Sequence, residues 1–227
     1  MEIRTCSLGN SVHFVSIMEI ISFIFIILIF LFSIIIHEVS HGAMADYLGD
    51  PTAKLAGRLT LNPIKHLDPI GSIFVPLMLI ISRVGIIFGW AKPVPINPFN
   101  LKDKVYGQAK VALAGPLANI LVALIFGIAL RFLPFLFSTQ IGAKLIIIFS
   151  YIVWINLVLA IFNLMPIPPL DGSHILFTFL PKQFDKLKIF LIQYQLFILL
   201  FFIFFGFSLI IPLVKWAFHL IVGIPFS

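Results

Sequence analysis

The chain has 227 residues, 61% of them hydrophobic and 11% charged, with a mean hydropathy of +1.15. That composition excludes an ordinary soluble globular domain and describes a polytopic helical membrane protein. The formal net charge of +6 does not mark a nucleic-acid binder, because the basic residues fall in short loops between apolar runs, where they set topology. A single cysteine, Cys6, excludes an internal disulfide and a cysteine metal cluster.

Residues 1–17 are mildly polar, with Arg4 as their only basic residue. The apolar run after them is too long for a signal-peptide core, and cleavage behind it would have to spare the motif at its end. It therefore reads as a retained membrane helix, with Met18 an alternative start. The uncharged stretch Ile20–Ile36 leads directly into His37-Glu38-Val39-Ser40-His41. On a helix, His37 and His41 are i and i+4, so both imidazoles leave one face a turn apart. This spacing suits two ligands of one Zn²⁺, with Glu38 beside them as the general base of a metalloprotease. The alternative is a helix end whose polar residues have reached the interface. Ionisable groups at membrane depth are costly, which favours the functional reading.

The following region is basic and broken. Pro69–Ser82 is apolar but short, and Arg83 interrupts its continuation. If Val111 begins the next crossing from the same side, residues 69–90 enter the membrane and return as a hairpin or re-entrant pair, or form two very short spans. Gly57–Pro63 and Gly89–Pro98 read as strands of a small β element, the second confined to an edge by its prolines; a loop packed over the bundle is the other reading. An edge of this kind would pair with an unwound peptide by strand addition.

Val111–Leu130, Leu145–Leu170 and Ile189–Val214 are further uncharged runs, long enough to cross, since ~20 apolar residues span the hydrocarbon core. The tail Trp216–Ser227 is apolar but too short. The expected fold is all-α, a bundle of about 4–6 transmembrane helices with a re-entrant or short hairpin segment and a small β element at the cytoplasmic side. Residues 1–227 form one membrane-embedded domain. Orientation follows from charge. Lys54, Arg58, Lys65, Arg83, Lys92, Lys102, Lys104 and Lys110 lie between the first helix and Val111, and Lys182, Lys186 and Lys188 precede Ile189. The other side shows Arg4, Arg131, Lys144 and Lys215. The motif end of the first helix therefore faces the cytoplasm.

A catalytic zinc site needs three protein ligands and a water. No glutamate follows Glu38, so the third ligand is Asp or His. Asp46, Asp50, Asp68, Asp103, Asp185 and His66 sit in polar loops, where solvation or capping explains them. Asp171 closes the run Asn163-Leu164-Met165-Pro166-Ile167-Pro168-Pro169-Leu170-Asp171-Gly172, whose prolines break the helix and stiffen the approach. Its alternative role is a helix N-cap. His174 is the reserve ligand.

His-Glu-x-x-His at a helix end, followed by Asn-x-x-Pro-x-Pro-x-Leu-Asp-Gly, strongly resembles the site-2 protease family of intramembrane metalloproteases. Ala114-Gly115-Pro116-Leu117-Ala118-Asn119 is similar to that family's middle helix, and Gly89–Pro95 to another of its elements. The resemblance covers about Ile20 to Pro181 and is to the small prokaryotic branch without a PDZ domain. It implies one Zn²⁺ held by His37, His41 and Asp171, Glu38 as base, and Asn119 facing the site, where it would donate to substrate or oxyanion. It also implies a membrane protein or peptide as substrate, within the lipid bilayer of the cell membrane. A metal transporter or sensor would need the ligands but not Glu38, and a silent scaffold would need neither.

Overall fold

The computed structural model describes residues 17–75, 78, 81, 82, 92–132 and 140–226. Helix α1 runs Ile17–Tyr47, 31 residues, or ~46 Å at 1.5 Å per residue, against ~30 Å of hydrocarbon. The histidine motif lies toward the C-terminal end of α1, within the stretch Ile24–Tyr47 that is long and apolar enough to cross a membrane. Ile24, Phe25, Ile27, Leu28, Phe30 and Phe32 are exposed along the apolar part, as a lipid-facing surface requires.

The turn after α1 closes at Gly49, whose φ of 104° lets the chain reverse. Asp50, fully buried, staples the turn to a distant segment. It accepts from the Thr52 N–H (3.2 Å), the Thr52 hydroxyl, the Asn97 N–H (2.6 Å) and the Asn100 amide (2.9 Å). A short α2 (Thr52–Leu55) follows. Residues 92–97 then form an extended strap without regular structure.

The bundle comprises α1, α3 (Gly107–Phe132) and α4 (Gln140–Asn163), with α5 (Asp171–Phe179) seated on α3. α6 (Asp185–Gln193) bends at Tyr194 into α7 (Gln195–Phe201), which continues through a π-helical turn at Phe202–Gly206 into α8 (Phe207–Val222). On α3, Leu113, Leu117, Leu121, Ile125 and Ile128 are exposed at helical spacing, which marks its lipid face. Its opposite face joins α4 and α8 in a core of Ala123, Leu130, Val153, Leu157, Ile210, Val214, Phe218 and Val222.

Three helical stretches, Ile24–Tyr47, Gly107–Phe132 and Lys144–Asn163, are long and apolar enough to cross a membrane. The bent pair Lys182–Gln193 and Gln195–Gly206, at 71°, raises the number to four at most. The described residues are therefore all-helical, with three to four span candidates among them. Ile189–Val214 is not one straight crossing. Lys186 and Lys188 favour the membrane surface for α6, and the helix beyond Tyr194 runs on to Val222. Trp216–Val222, expected as a tail, thus forms the end of α8.

The small β element is not found: there is no strand among the described residues. The backbone of the two segments makes turn bonds and side-chain bonds instead of a ladder, with the Lys92 N–H donating to the His66 carbonyl at 2.9 Å. Arg58 Nη2 donates to the Lys92 and Pro93 carbonyls (2.6 and 3.4 Å), and His66 Nε2 to the Thr60 carbonyl (2.8 Å). Pro93 and Pro95 have no N–H to pair. Of the expected hairpin at 69–90, Pro69–Phe74 is a π-helical turn capped by Asp68; residues 83–90 and 91 lie outside the described residues, as do 1–16.

Candidate metal centre and active site

His37 and His41 project from the same face of α1, with imidazole centroids 4.6 Å apart and planes at 89°. Their Nε2 atoms approach to 3.0 Å. Asp171 Oδ2 lies 3.0 Å from His37 Nε2 and 3.3 Å from His41 Nε2. Both histidines are buried, and Asp171 is nearly so. Among the described residues these three form a group able to hold a metal ion.

The outer nitrogens decide what the inner ones carry. His41 Nδ1 is 2.7 Å from the Val111 carbonyl, which can only accept, so the proton sits on Nδ1 and Nε2 presents a lone pair. His37 Nδ1 is 2.6 Å from Asn119 Oδ1, with the same consequence. Asp171 Oδ2 is buried and has no hydrogen-bond donor. Three lone pairs thus converge on one point, an arrangement that repels itself unless a cation sits between them. Ligand atoms ~2.0–2.2 Å from a tetrahedral zinc lie ~3.3 Å from one another, so the observed edges fit that ion. The second bonds from Nδ1 are the outer contacts that zinc-bound histidines characteristically make.

Two glycines permit the assembly. A Cβ on Gly115 of α3 would fall 2.5 Å from His41 Nε2 and 2.7 Å from His37 Cε1. A Cβ on Gly172 would meet the Leu164 carbonyl at 2.2 Å, so Gly172 lets α5 begin against the end of α4 and deliver Asp171. Leu170 is the N-cap of α5, and Asp171 is its first residue. The Asp171 carboxylate is therefore not spent on capping.

A cavity of about 370 Å³ opens beside the three ligands. Glu38 lines it, with Oε2 accepting from the Val94 N–H at 2.9 Å. Pro93 and Val94 of the strap, Gln108 of α3, Asn163 and His174 form other parts of its wall. His174, the reserve ligand, is exposed on this wall and is not one of the three converging groups. Asn163 donates to the Leu159 carbonyl at 2.9 Å. Asn119 is fully buried behind His37 and does not line the cavity; both its amide hydrogens are engaged, by the Ser33 carbonyl (3.2 Å) and Asn156 Oδ1 (2.8 Å).

The other described aspartates have structural partners. Asp46 pairs with Lys54 (3.2 Å), Asp103 with Lys110 (2.7 Å) and Asp185 with Lys188 (3.3 Å). For Asp50, burial acts to raise the pKa, but the Thr52 hydroxyl, the Asn100 amide and the Asn97 and Thr52 N–H groups outweigh it and hold the carboxyl below its ordinary range. Sequence reasoning missed Ser33, Asn156 and the Val94 N–H. For Asn156 a signal existed, an amide in the middle of an apolar run. For a backbone N–H in a strap there was none.

A helical membrane bundle with a His–His–Asp cluster and a neighbouring glutamate defines the class of membrane-embedded zinc metalloproteases. Residues 138–204 match the profile described as Peptidase family M50. YwhC of Bacillus subtilis (strain 168), a candidate zinc metalloprotease, is 40% identical over 165 residues, covering 69% of each chain. Rip2 of Mycobacterium tuberculosis (strain ATCC 25618 / H37Rv) is 31% identical over 150 residues, 66% of this chain and 55% of that one. Zinc metalloprotease MJ0392 of Methanocaldococcus jannaschii is 31% identical over 97 residues, 42% of this chain and 27% of that one. No solved structure matches. The chain belongs to peptidase family M50, the site-2 protease family of zinc metalloproteases.

Proposed function

We propose that His37, His41 and Asp171 hold one Zn²⁺ per chain, with Glu38 as general base, and that this single membrane-embedded domain cleaves peptide bonds in transmembrane or membrane-proximal segments. The observation that carries this reading is the convergence of three lone-pair atoms within 3.3 Å of one another, beside a carboxylate at the edge of a cavity. Bound there, zinc supplies a Lewis acid that acidifies water and polarises a scissile carbonyl.

Glu38 is held at Oε2 by the Val94 N–H, which leaves Oε1 to take the proton of the attacking water. The water oxygen bonds to the carbonyl carbon, the C–N bond breaks, and Glu38 passes the proton to the leaving amine. The substrate must reach the cavity unwound, because a helix hides its carbonyls in its own ladder. The strap at 92–97 lines the cavity with Pro93, Val94 and Ile96, which supports an extended peptide lying against it. Asn119 belongs to this machinery as a group that positions His37. Lysines and arginines around the motif end of α1 support a site facing the cytoplasm.

The test is cleavage of single-span model proteins by the purified protein in detergent, with wild type, Glu38→Gln and a chelated sample compared. Wild type is expected to cleave, the chelated sample to recover on adding zinc, and Glu38→Gln to stay inactive with zinc bound. Equal cleavage by Glu38→Gln would overturn the assignment.

A further inference from the structure

Behind His37, three polar side chains from three helices lie buried at membrane depth: Ser33 of α1, Asn119 of α3 and Asn156 of α4. Each is expensive there unless satisfied. Each is satisfied, and in one direction only. The Ser33 hydroxyl donates to the Ile29 carbonyl at 2.8 Å. Asn156 Nδ2 donates to the Ile152 carbonyl (2.8 Å) and to Ser33 Oγ (2.9 Å). Asn156 Oδ1 accepts from Asn119 Nδ2 (2.8 Å), whose second hydrogen goes to the Ser33 carbonyl (3.2 Å). Asn119 Oδ1 is left to accept from His37 Nδ1 at 2.6 Å.

The chain of bonds is rooted in the carbonyls of Ile29, Ser33 and Ile152, which can only accept. Turning either amide over would set oxygen against carbonyl oxygen. We propose that Ser33 and Asn156 are positioning residues: they lock the Asn119 amide, and through it hold His37 in the Nδ1–H tautomer that aims the Nε2 lone pair at the metal site. A histidine protonated on Nε2 cannot ligate through that atom. His41 has no part in this, since its Nδ1 proton is fixed by the Val111 carbonyl. The inference rests on the zinc reading for its consequence, but the tautomer itself belongs to the metal-free protein.

The experiment uses ¹⁵N-histidine-labelled, metal-free protein in detergent, read by NMR, with zinc affinity measured on the same samples by chelator competition. Wild type is expected to show protonated Nδ1 on both His37 and His41. Asn156→Leu, which keeps the size and removes the amide, is expected to shift His37 toward the Nε2–H form, leave His41 unchanged and weaken zinc binding about tenfold. If Asn156→Leu does not fold, Ser33→Ala probes the same lock, with a smaller shift in the same direction. A His37 tautomer unchanged in both Asn156→Leu and Ser33→Ala, or one that moves together with that of His41, would overturn the proposal. Wild type with the expected tautomers but no zinc binding would refute the metal reading and still support the lock.

Discussion

Gly115→Ala puts one methyl group between the two imidazoles. The new carbon would sit 2.5 Å from His41 Nε2, 2.6 Å from His41 Cε1 and 2.7 Å from His37 Cε1, well inside the ~3.5–4.0 Å of a relaxed contact. Neither ring can simply swing away, because each is tethered at Nδ1, to Val111 and to Asn119. Overpacking of a rigid site costs about 1–3 kcal/mol. Paid wholly at the metal centre, that is roughly a 5- to 150-fold weaker zinc affinity. The assay is chelator competition in detergent, with thermal unfolding alongside. Gly127→Ala on the same helix is the control: its Cβ meets the Cγ2 branch of Ile221 at 2.4 Å, twelve residues or ~18 Å along α3 from Gly115, and zinc affinity is expected to stay within twofold, or about 0.4 kcal/mol. Wild-type zinc affinity in Gly115→Ala would refute the convergence described for the two rings.

Glu38→Gln is expected to keep zinc within a few-fold while hydrolysis falls by about 10²–10⁴, measured as metal content and cleavage rate on one sample. Arg58→Ala removes the donor to the Lys92 carbonyl and is expected to destabilise the fold by about 1–3 kcal/mol, read as a lowered unfolding temperature. Asp50 has a folded-state pKa below its unfolded value, so its stabilising effect is complete above the unfolded value of about 3.9 and is lost as the pH falls through the folded one. Asp50→Asn is therefore expected to be less stable than wild type near neutral pH, with the gap closing in acid; a gap independent of pH in thermal unfolding would contradict this.

The chemistry-bearing residues were legible because their signals are local. His37 and His41 need only helical spacing, and Asp171 stands out by the missing glutamates and by the prolines before it. What binds them together was legible only in part: the segment around Gly115 stood out by its resemblance, whereas Ser33 and Asn156 did not. Gly115 matters because α3 crosses α1 at that point, and Ser33 and Asn156 because α4 crosses both; no spacing within one helix encodes those meetings. The alternation in Gly57–Pro63 imitated a strand, but Arg58 and His66 turned its surroundings into side-chain-to-backbone bonds. The strap at 92–97 is extended as its prolines require, yet its Val94 and Asn97 N–H groups go to Glu38 and Asp50. The bend at Tyr194 has no proline or glycine to announce it, so the uncharged run Ile189–Val214 reads as one straight helix although it is broken there.

The central claim is that Asp171, and not His174, completes the zinc site. X-ray absorption at the zinc edge of the metal-loaded protein distinguishes the two directly. The expected spectrum has two imidazole ligands with oxygen completing a four-coordinate shell at ~2.0–2.2 Å, unchanged in His174→Ala and altered in Asp171→Asn with loss of affinity. Three imidazoles in the wild type, reduced to two in His174→Ala, would contradict it.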